Sequence, residues 1–330
     1  MLYLHGMGHF HPDNIISNQF LVDLDIGTSH EWIEERVGIQ NRRTVLALEY
    51  IRETKNADFR AAYEARQYKN SQMAALAARQ AMERAGVKKE DIGMVVAGSS
   101  SPDNIAPAES SAVAEELGIE VPCIDMNSAC SSFGMQINFL SKMAPETLPA
   151  YVLVVDSETL TKSVNYADRS VAVLFGDGST AAVVSTKVPS RAVFCGCCYD
   201  SRPSAWSKVG INHAWRFYQE GNAVQGFAIR TTTEGVRKLQ GEFATGAQRF
   251  LFIGHQANLS MLMTVCERTG IPLKNCWYNV DQLGNVGCVG APSVLSAHWE
   301  QLREGDRIAM SIVGAGLSWA HIMLKVEGTA

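Results

Sequence analysis

The sequence predicts an α/β fold assembled from two related halves, and three observations lead there. Strand-like and helix-like runs alternate along the chain, which is the pattern of a layered α/β protein. Three blocks of the first half recur in the same order in the second. With 330 residues the chain exceeds what one hydrophobic core usually serves, and 46% hydrophobic against 19% charged residues supplies enough apolar material for a real core.

Taken in order, the strand-like runs are 93-GMVVAGSS, 150-AYVLVVDSE, 171-VAVLFGD, 180-TAAVVST, 249-RFLFIGH and 308-IAMSIVGAG. Each is a short apolar run rich in Val, Ile or Leu. The helix-like runs are 71-SQMAALAARQAMERAG, 108-AESSAVAEELG, 131-SSFGMQINFLSKM and 292-PSVLSAHWEQLREG, most ending at or just before a glycine. The repeat pairs 173-VLFGDGSTAAVV-184 with 311-SIVGAGLSWAHI-322, and 94-MVVAGSSS with 250-FLFIGHQA. It also pairs 123-CIDMNSACSSFG with 278-YNVDQLGNVGCVG, setting Cys130 opposite Asn285. The halves then span 1–187 and 188–330, and a site between them draws residues from both. One segment breaks the rhythm. Residues 46–70, LALEYIRETKNADFRAAYEARQYKN, mix charge with Tyr and Phe, and suit either a solvated surface helix or a docking element beside a site.

Net charge is −5, so there is no basic footprint for nucleic acid. No run reaches the ~18 apolar residues of a membrane span, and the start, MLYLHGMGHFHPDN, lacks the charged flank and apolar core of a secretory signal. These features point to the cytoplasm. The eight cysteines (123, 130, 195, 197, 198, 266, 276, 288) are scattered, not set as a disulfide framework. The cluster 195-CGCC-198 has no second ligand pair at zinc spacing and is expected in a strand; no metal is expected.

Cys130 stands where a strand-like run gives way to an apolar helical pattern. A helix starting there would aim its N–H groups and positive dipole end at sulfur and lower the thiol pKa. A buried inert thiol is the other reading. His255 ends a strand-like run before a polar turn and a helix, a place where α/β proteins hold their sites. Asn285 lies among glycines that permit close backbone approach. Thiol, imidazole and amide together suit acyl-thioester chemistry: sulfur takes the acyl group, and the two neutral donors steady an enolate or oxyanion.

The order of 130-CSSFG, 254-GHQAN, 284-GNVG and 313-VGAGLSW, with 31-EWIEERVGIQNRR-43 and 174-LFGDGSTAAVV-184, resembles the thiolase-superfamily condensing enzymes. Among them it is most similar to the β-ketoacyl-ACP synthase III group, over nearly the whole chain. The resemblance implies the five-layered αβαβα thiolase-like fold, a homodimer (a heterodimer with a second ketosynthase-like chain being the variant), and a Cys130–His255–Asn285 site. Its substrates would be CoA or phosphopantetheine thioesters, presented as acyl-CoA or on an acyl carrier protein, with no tightly bound cofactor. It also implies an oxyanion hole from the backbone N–H groups of Cys130 and Gly316. Trp32 and Arg36 match positions that stack on adenine and pair with the phosphates of CoA; an indole beside adenine and a guanidinium beside phosphate make physical sense. Their plainer reading is a core tryptophan and a surface ion pair.

Departures from the family pattern concern the substrate. Ser260 stands where primary-metabolism members carry an arginine that helps dock the carrier. Ala106 precedes Pro107 where short-primer members place a bulky aromatic, which suggests an acyl pocket open to a medium or long chain. Glu109 lies in the region that, in this family, lines the neighbouring subunit's acyl pocket. Pyrone- and ketone-forming relatives use a partner glutamate as base; a helix-N-terminal glutamate is the alternative. The expected activity is Claisen-type condensation of an acyl group on Cys130 with a malonyl- or β-ketoacyl-thioester, in specialised lipid or polyketide synthesis of pyrone or resorcinol type. A fatty-acid-initiating synthase is the near alternative. A non-catalytic subunit of a heterodimeric synthase would not need all three of Cys130, His255 and Asn285. A nicotinamide-dependent oxidoreductase would need a third glycine in 314-GAGLSW.

Overall fold

The structure, a computed structural model, describes residues 1–328. Nine strands form one mixed sheet: β1 (Leu2–Phe10), β2 (Ile92–Gly98), β3 (Cys123–Asp125), β4 (Tyr151–Thr159), β5 (Asp177–Ser185), β6 (Ala192–Ser201), β7 (Arg249–Gly254), β8 (Asp306–Gly314) and β9 (Ser318–Val326). Their spatial order is β7-β8-β9-β6-β1-β5-β4-β2-β3. Outward from the centre, one half therefore runs β1-β5-β4-β2-β3 and the other β6-β9-β8-β7. The senses agree as well. β1–β5 and β5–β4 are antiparallel and β4–β2 parallel; β6–β9 and β9–β8 are antiparallel and β8–β7 parallel. The fifth strand of the second half shrinks to one parallel bridge between Phe252 and Cys276, where the first half pairs β2 with β3. Two of the three sequence repeats fall on equivalent strands, β2 with β7 and β5 with β9; the third sets β3 against residues 278–290, which hold no strand.

The helices used below are α1 (His30–Val37), α2 (Leu48–Thr54), α3 (Phe59–Ala65), α4 (Asn70–Ala85) and α5 (Glu109–Leu117). They continue with α6 (Ser132–Lys142), α7 (Gly221–Phe243), α8 (Leu259–Thr269) and α9 (Gly290–Ala297). Strand periodicity sorts the side chains into layers. Along β4, Val152 and Val154 join a cluster with Phe133 and Ile137 of α6, while Leu153 and Val155 join one with Ala74, Ala78 and Val113 of α4 and α5. Along β8, Ile308, Met310 and Ile312 meet the same central cluster as Val294 and Leu295 of α9, and Ala309 faces Leu239 of α7. The result is five layers: α4 and α5, the first half's strands, α6 with α9, the second half's strands, and α7. Strands covered on both faces are rich in apolar residues, as the cores of β4 and β8 are, while the ends of β4 and β5 nearest the cavity bury polar groups. The alanine run of α4 gives high helix propensity and short side chains that settle closely on the sheet.

The structure departs from expectation at 171–177. That run is not a strand: Arg169–Ala172 is a single helical turn, capped by the Asp168 side chain accepting from Ser170 N. Residues 174–176 then bond to Asn285 in place of a sheet neighbour, and β5 begins at Asp177. Helix α9 stops at Ala297 and gives way to a 3₁₀ turn, Trp299–Gln301, short of the expected run to 305. β1, β9 and the 23-residue α7 were not distinguished in the sequence, since glycine, histidine or threonine interrupts their apolar pattern. The 195-CGCC-198 cluster lies within β6, as expected.

Gly134 lets α6 sit directly on β9: a Cβ there would stand 2.3 Å from the Ala320 Cβ. In a free helix alanine is worth about 1 kcal/mol over glycine, but an overpacked core costs about 1–3 kcal/mol. Gly134→Ala is therefore expected to destabilise the protein by about that amount, seen as a lower urea midpoint. A raised midpoint would mean that the helix–strand contact is loose.

Candidate active site

Cys130 stands at the apex of a tight turn leading into α6. Ala129 just before it has φ +48°, a left-handed conformation unusual for a residue with a side chain. The turn is held by side chains: Ala129 N donates to Asn127 Oδ1 (2.8 Å), Ser128 N to Ser132 Oγ (2.8 Å), and Ser132 Oγ to the Ala129 carbonyl (2.6 Å). No glycine signals this turn in the sequence; the cluster of Asn and Ser does so only in hindsight.

His255 follows the last residue of β7, its N–H donating to the Ser311 carbonyl (2.8 Å). The next residue orients this corner. Gln256, fully buried, donates to the Gly254 carbonyl (2.8 Å) and accepts from Asn279 N (3.1 Å) and Val280 N (3.3 Å). It thereby ties the His255 turn to the segment that leads to Asn285. Asn258 caps α8 through Met261 N (2.8 Å).

Asn285 is clamped from both sides of its backbone. Its N–H donates to the Leu174 carbonyl (2.8 Å), and its carbonyl accepts from Gly176 N (3.1 Å). Gly284 makes this approach possible, with φ +71° and no Cβ to strike the Leu174 carbonyl at 2.8 Å. The side-chain oxygen accepts from Gly287 N (3.0 Å), which turns the amide N–H₂ outward as a donor.

These three residues line one cavity of about 520 Å³. The turn 314–317 edges it through Gly314, Ala315 and Leu317, so Gly316 is at its margin, with φ +129°. Trp32 and Arg36 of α1 line the same cavity, and so does Arg169. The two guanidinium carbons stand 5.4 Å (Arg36) and 4.9 Å (Arg169) from the Trp32 ring centroid, so two cations lie against this indole. Arg169 was not singled out from the sequence; it reaches Trp32 only through the tertiary fold.

The electrostatics correct one expectation. Burial pushes the Cys130 thiol up to about 12, the Glu158 carboxyl adds to the rise, and the residue's own backbone N–H only partly offsets them. Dehydration wins over the helix end, so the thiol is neutral at rest and not a standing thiolate. Burial moves His255 the other way, down to about 4, so its imidazole is neutral. Behind the cavity lie two more buried acids. Glu158 accepts from Ser101 Oγ (2.7 Å), Ser100 N (3.1 Å) and the Cys288 thiol (3.1 Å), and burial raises its pKa. Asp156 accepts from Gln136 Nε2 (3.0 Å), and burial holds it well above the usual carboxylate range.

Ala106 and Glu109 are not brought to this cavity. Ala106 lies on an exposed loop, beside an Ile105 that is 90% exposed. Glu109 faces a second, polar cavity of about 890 Å³ with Tyr63, Arg66, Lys69 and Asp103. Its Oε2 accepts from Asp103 N (3.0 Å), and its Oε1 is buried without a partner. Burial pushes its pKa up to about 7, and Asp103 and Asp125 add to the rise. A glutamate stabilised by a helix N-terminus would shift downward; here Asp125 takes that role, accepting from Glu109 N (2.7 Å) and Ser110 N (2.9 Å). Segment 46–70 forms α2 and α3 and docks beside the active-site cavity. Phe59 stacks at 5.2 Å on Trp215, in a hairpin whose Phe217 lines the cavity. Ser260 sits in the first turn of α8, half-buried. Among the described residues no helix is long and apolar enough to cross a membrane.

Comparison with known proteins adds three findings. Residues 124–198 match the family described as 3-oxoacyl-[acyl-carrier-protein (ACP)] synthase III, and residues 248–326 match its C-terminal region. A β-ketoacyl-[acyl-carrier-protein] synthase III of Syntrophomonas wolfei is 30% identical, over 97% of this chain and 96% of that protein. Among crystal structures, the 3-oxoacyl-[acyl-carrier-protein] synthase III of Aquifex aeolicus superposes with a TM-score of 0.85 at 25% identity, covering 98% of this chain and 100% of that one. Xanthomonas campestris OleA, described with bound lauric acid and lauroyl-CoA, superposes with a TM-score of 0.80 at 20% identity, covering 98% of both chains.

The resting state of Cys130 is open to measurement. A thiol titrating near 12 gains thiolate about tenfold per pH unit across the neutral range. Alkylation of Cys130 by iodoacetamide, followed by peptide mapping, is expected to rise in that way from pH 6 to 9 without levelling. A plateau below pH 8 would show that the helix end, not burial, sets the thiol.

Proposed function

This chain belongs to the 3-oxoacyl-[acyl-carrier-protein] synthase III family of condensing acyltransferases, and on that premise we propose that Cys130 carries the acyl group while His255 and Asn285 bind the developing enolate. What supports this assignment is the convergence of a thiol, a neutral imidazole and an outward amide in one cavity, drawn from both halves of the chain. The sulfur attacks the thioester carbonyl carbon; the new C–S bond forms, the old one breaks, and the thiol proton leaves with the released CoA or pantetheine thiol. Attack and proton loss are concerted, because a free thiolate is costly in this surrounding. The second thioester then becomes a carbanion, by loss of CO₂ from a malonyl group or of an α-proton from a β-ketoacyl group. It attacks the acyl carbon, the acyl C–S bond breaks, and the Cys130 sulfur leaves as a thiolate that takes a proton from solvent or from the protonated base to return to the thiol. Neutral donors are right for this step, since they strengthen as negative charge appears on oxygen. The N–H groups of Cys130 and Gly316 would receive the first oxyanion. Trp32 with Arg36 and Arg169 suits the adenine and phosphates of a CoA substrate, and an acyl carrier protein is the alternative donor.

We assign the acyl substrate to the medium or long range and the setting to specialised lipid or polyketide synthesis. The support is Ala106, small where a bulky aromatic would close the pocket. Because Ala106 and Glu109 face away from the chain's own cavity, both would act on a partner's, which requires a homodimer. Ile105, Ile124, Phe139 and Met143, exposed at 90%, 43%, 45% and 41%, supply an apolar surface for that contact. Ile124 lies on β3, the free edge of the sheet. A fatty-acid-initiating role is the second reading, favoured by what the Syntrophomonas relative is called.

Intact-mass spectrometry after incubation with acetyl-, octanoyl- and lauroyl-CoA tests both points. One acyl adduct is expected, heaviest in yield with the longer chains and absent in Cys130→Ala. Acylation by acetyl-CoA alone would return the enzyme to fatty-acid initiation. Glu109→Gln is expected to leave this adduct unchanged while slowing condensation with a β-ketoacyl-CoA by about 100-fold or more, the range of a lost general base. Equal turnover would make Glu109 a structural acid.

A further inference from the structure

A group of four hydroxyls lies beneath Cys130, and the acyl-transfer scheme above makes no use of it. Tyr199 OH stands 2.8 Å from Ser128 Oγ, Ser128 Oγ is 3.2 Å from Ser318 Oγ, and Ser318 Oγ donates to the Ala315 carbonyl (2.9 Å). Ser131 Oγ lies 2.8 Å from Ser318 Oγ and donates to the Ser128 carbonyl (2.8 Å). Ser131 and Ser318 are buried. Ser128 Oγ also lies 3.0 Å from Ser131 Oγ. The two links that end on carbonyls run one way, Ser318 donating to Ala315 and Ser131 to Ser128, while Tyr199, Ser128 and the two other serines share their protons among the remaining contacts.

This relay joins two segments that the backbone does not otherwise bond. Ser128 and Ser131 flank Cys130 in the first half. Ala315 precedes Gly316, and Ser318 opens β9, both in the second half. The last link ends on the peptide group whose N–H belongs to Gly316, so it orients the plane of that amide. We infer that Ser318 and Tyr199 are positioning residues that hold the Gly316 N–H in register with the Cys130 N–H for one shared oxyanion. The inference rests on the assignment of those two amides as oxyanion donors. It goes further in naming what sets their separation: a hydroxyl network across the two halves whose last link ends on the oxyanion turn. Such a network affects the step in which charge develops, and not the affinity for the neutral thioester.

The test uses Ser318→Ala, Ser318→Thr, Tyr199→Phe and Cys130→Ala, each assayed with octanoyl-CoA and malonyl-CoA and each checked for Tm. Ser318→Ala is expected to lose between about tenfold and a hundredfold in kcat, the range for misplaced donors. Its KM for octanoyl-CoA should stay within about twofold, as for an interaction made only in the transition state. Ser318→Thr, which keeps the hydroxyl, should restore most of kcat, and Tyr199→Phe should show a smaller loss, since Ser128 can still donate. An unchanged kcat in Ser318→Ala and Tyr199→Phe, with no adduct on Cys130→Ala, would overturn this inference alone. A full acyl adduct on Cys130→Ala would overturn the site assignment and this inference with it. If Ser318→Ala fails to fold, Tyr199→Phe decides, because it removes one oxygen and keeps the ring.

Discussion

The site depends on the seam where the two halves meet, the pairing of Leu2, Tyr3 and Leu4 in β1 with Phe194, Val193 and Ala192 in β6. Three antiparallel residue pairs make one sheet of what would otherwise be two. They also place α6 and α9 between the halves as a shared central layer. Cys130 begins at the end of one of these buried helices, and Asn285 lies on the approach to the other. Neither half could form the cavity alone. The topology thus explains why a thiol from the first half and an imidazole and an amide from the second face the same space.

Burial then sets the chemistry of that space. It raises Cys130, Glu158 and Asp156 and lowers His255, and all four moves favour the uncharged form. Asn285 is neutral by nature. Neutral donors gain most when negative charge develops on an oxygen beside them. The cations stand apart, with the Arg36 and Arg169 guanidinium groups 5.4 and 4.9 Å from the Trp32 ring centroid. The cavity is therefore graded, from charged around Trp32 to neutral at sulfur.

The second cavity follows other rules. The Asp103 carboxylate lies 3.3 Å from Lys162 Nζ and 3.4 Å from Arg66 Nε, almost wholly out of water, and the Asp103 backbone N–H donates to the Glu109 side chain. The charged segment that interrupts the α/β rhythm supplies Tyr63 and Arg66 to this cavity and Phe59 to the hairpin over the other. One segment therefore lines the second cavity and packs on the hairpin beside the first.

The chain's alternation determined the α/β class and most of the core strands and helices, and its motifs marked Cys130, His255 and Asn285, which line one cavity. Those features repeat locally, with periods and glycine turns that can be seen along one dimension. The strand expected at 171–177 failed because residues 174–176 bond to Asn285, a hundred residues away. The thiol's pKa direction failed because dehydration depends on everything packed around sulfur, while a helix start is visible locally. Arg169 beside Trp32, Gln256 behind His255, Glu158 below Cys130 and the hydroxyls from Tyr199 to Ala315 were decided by tertiary structure alone. Each acts across a contact between distant segments, and such contacts leave no period, spacing or composition behind in the sequence.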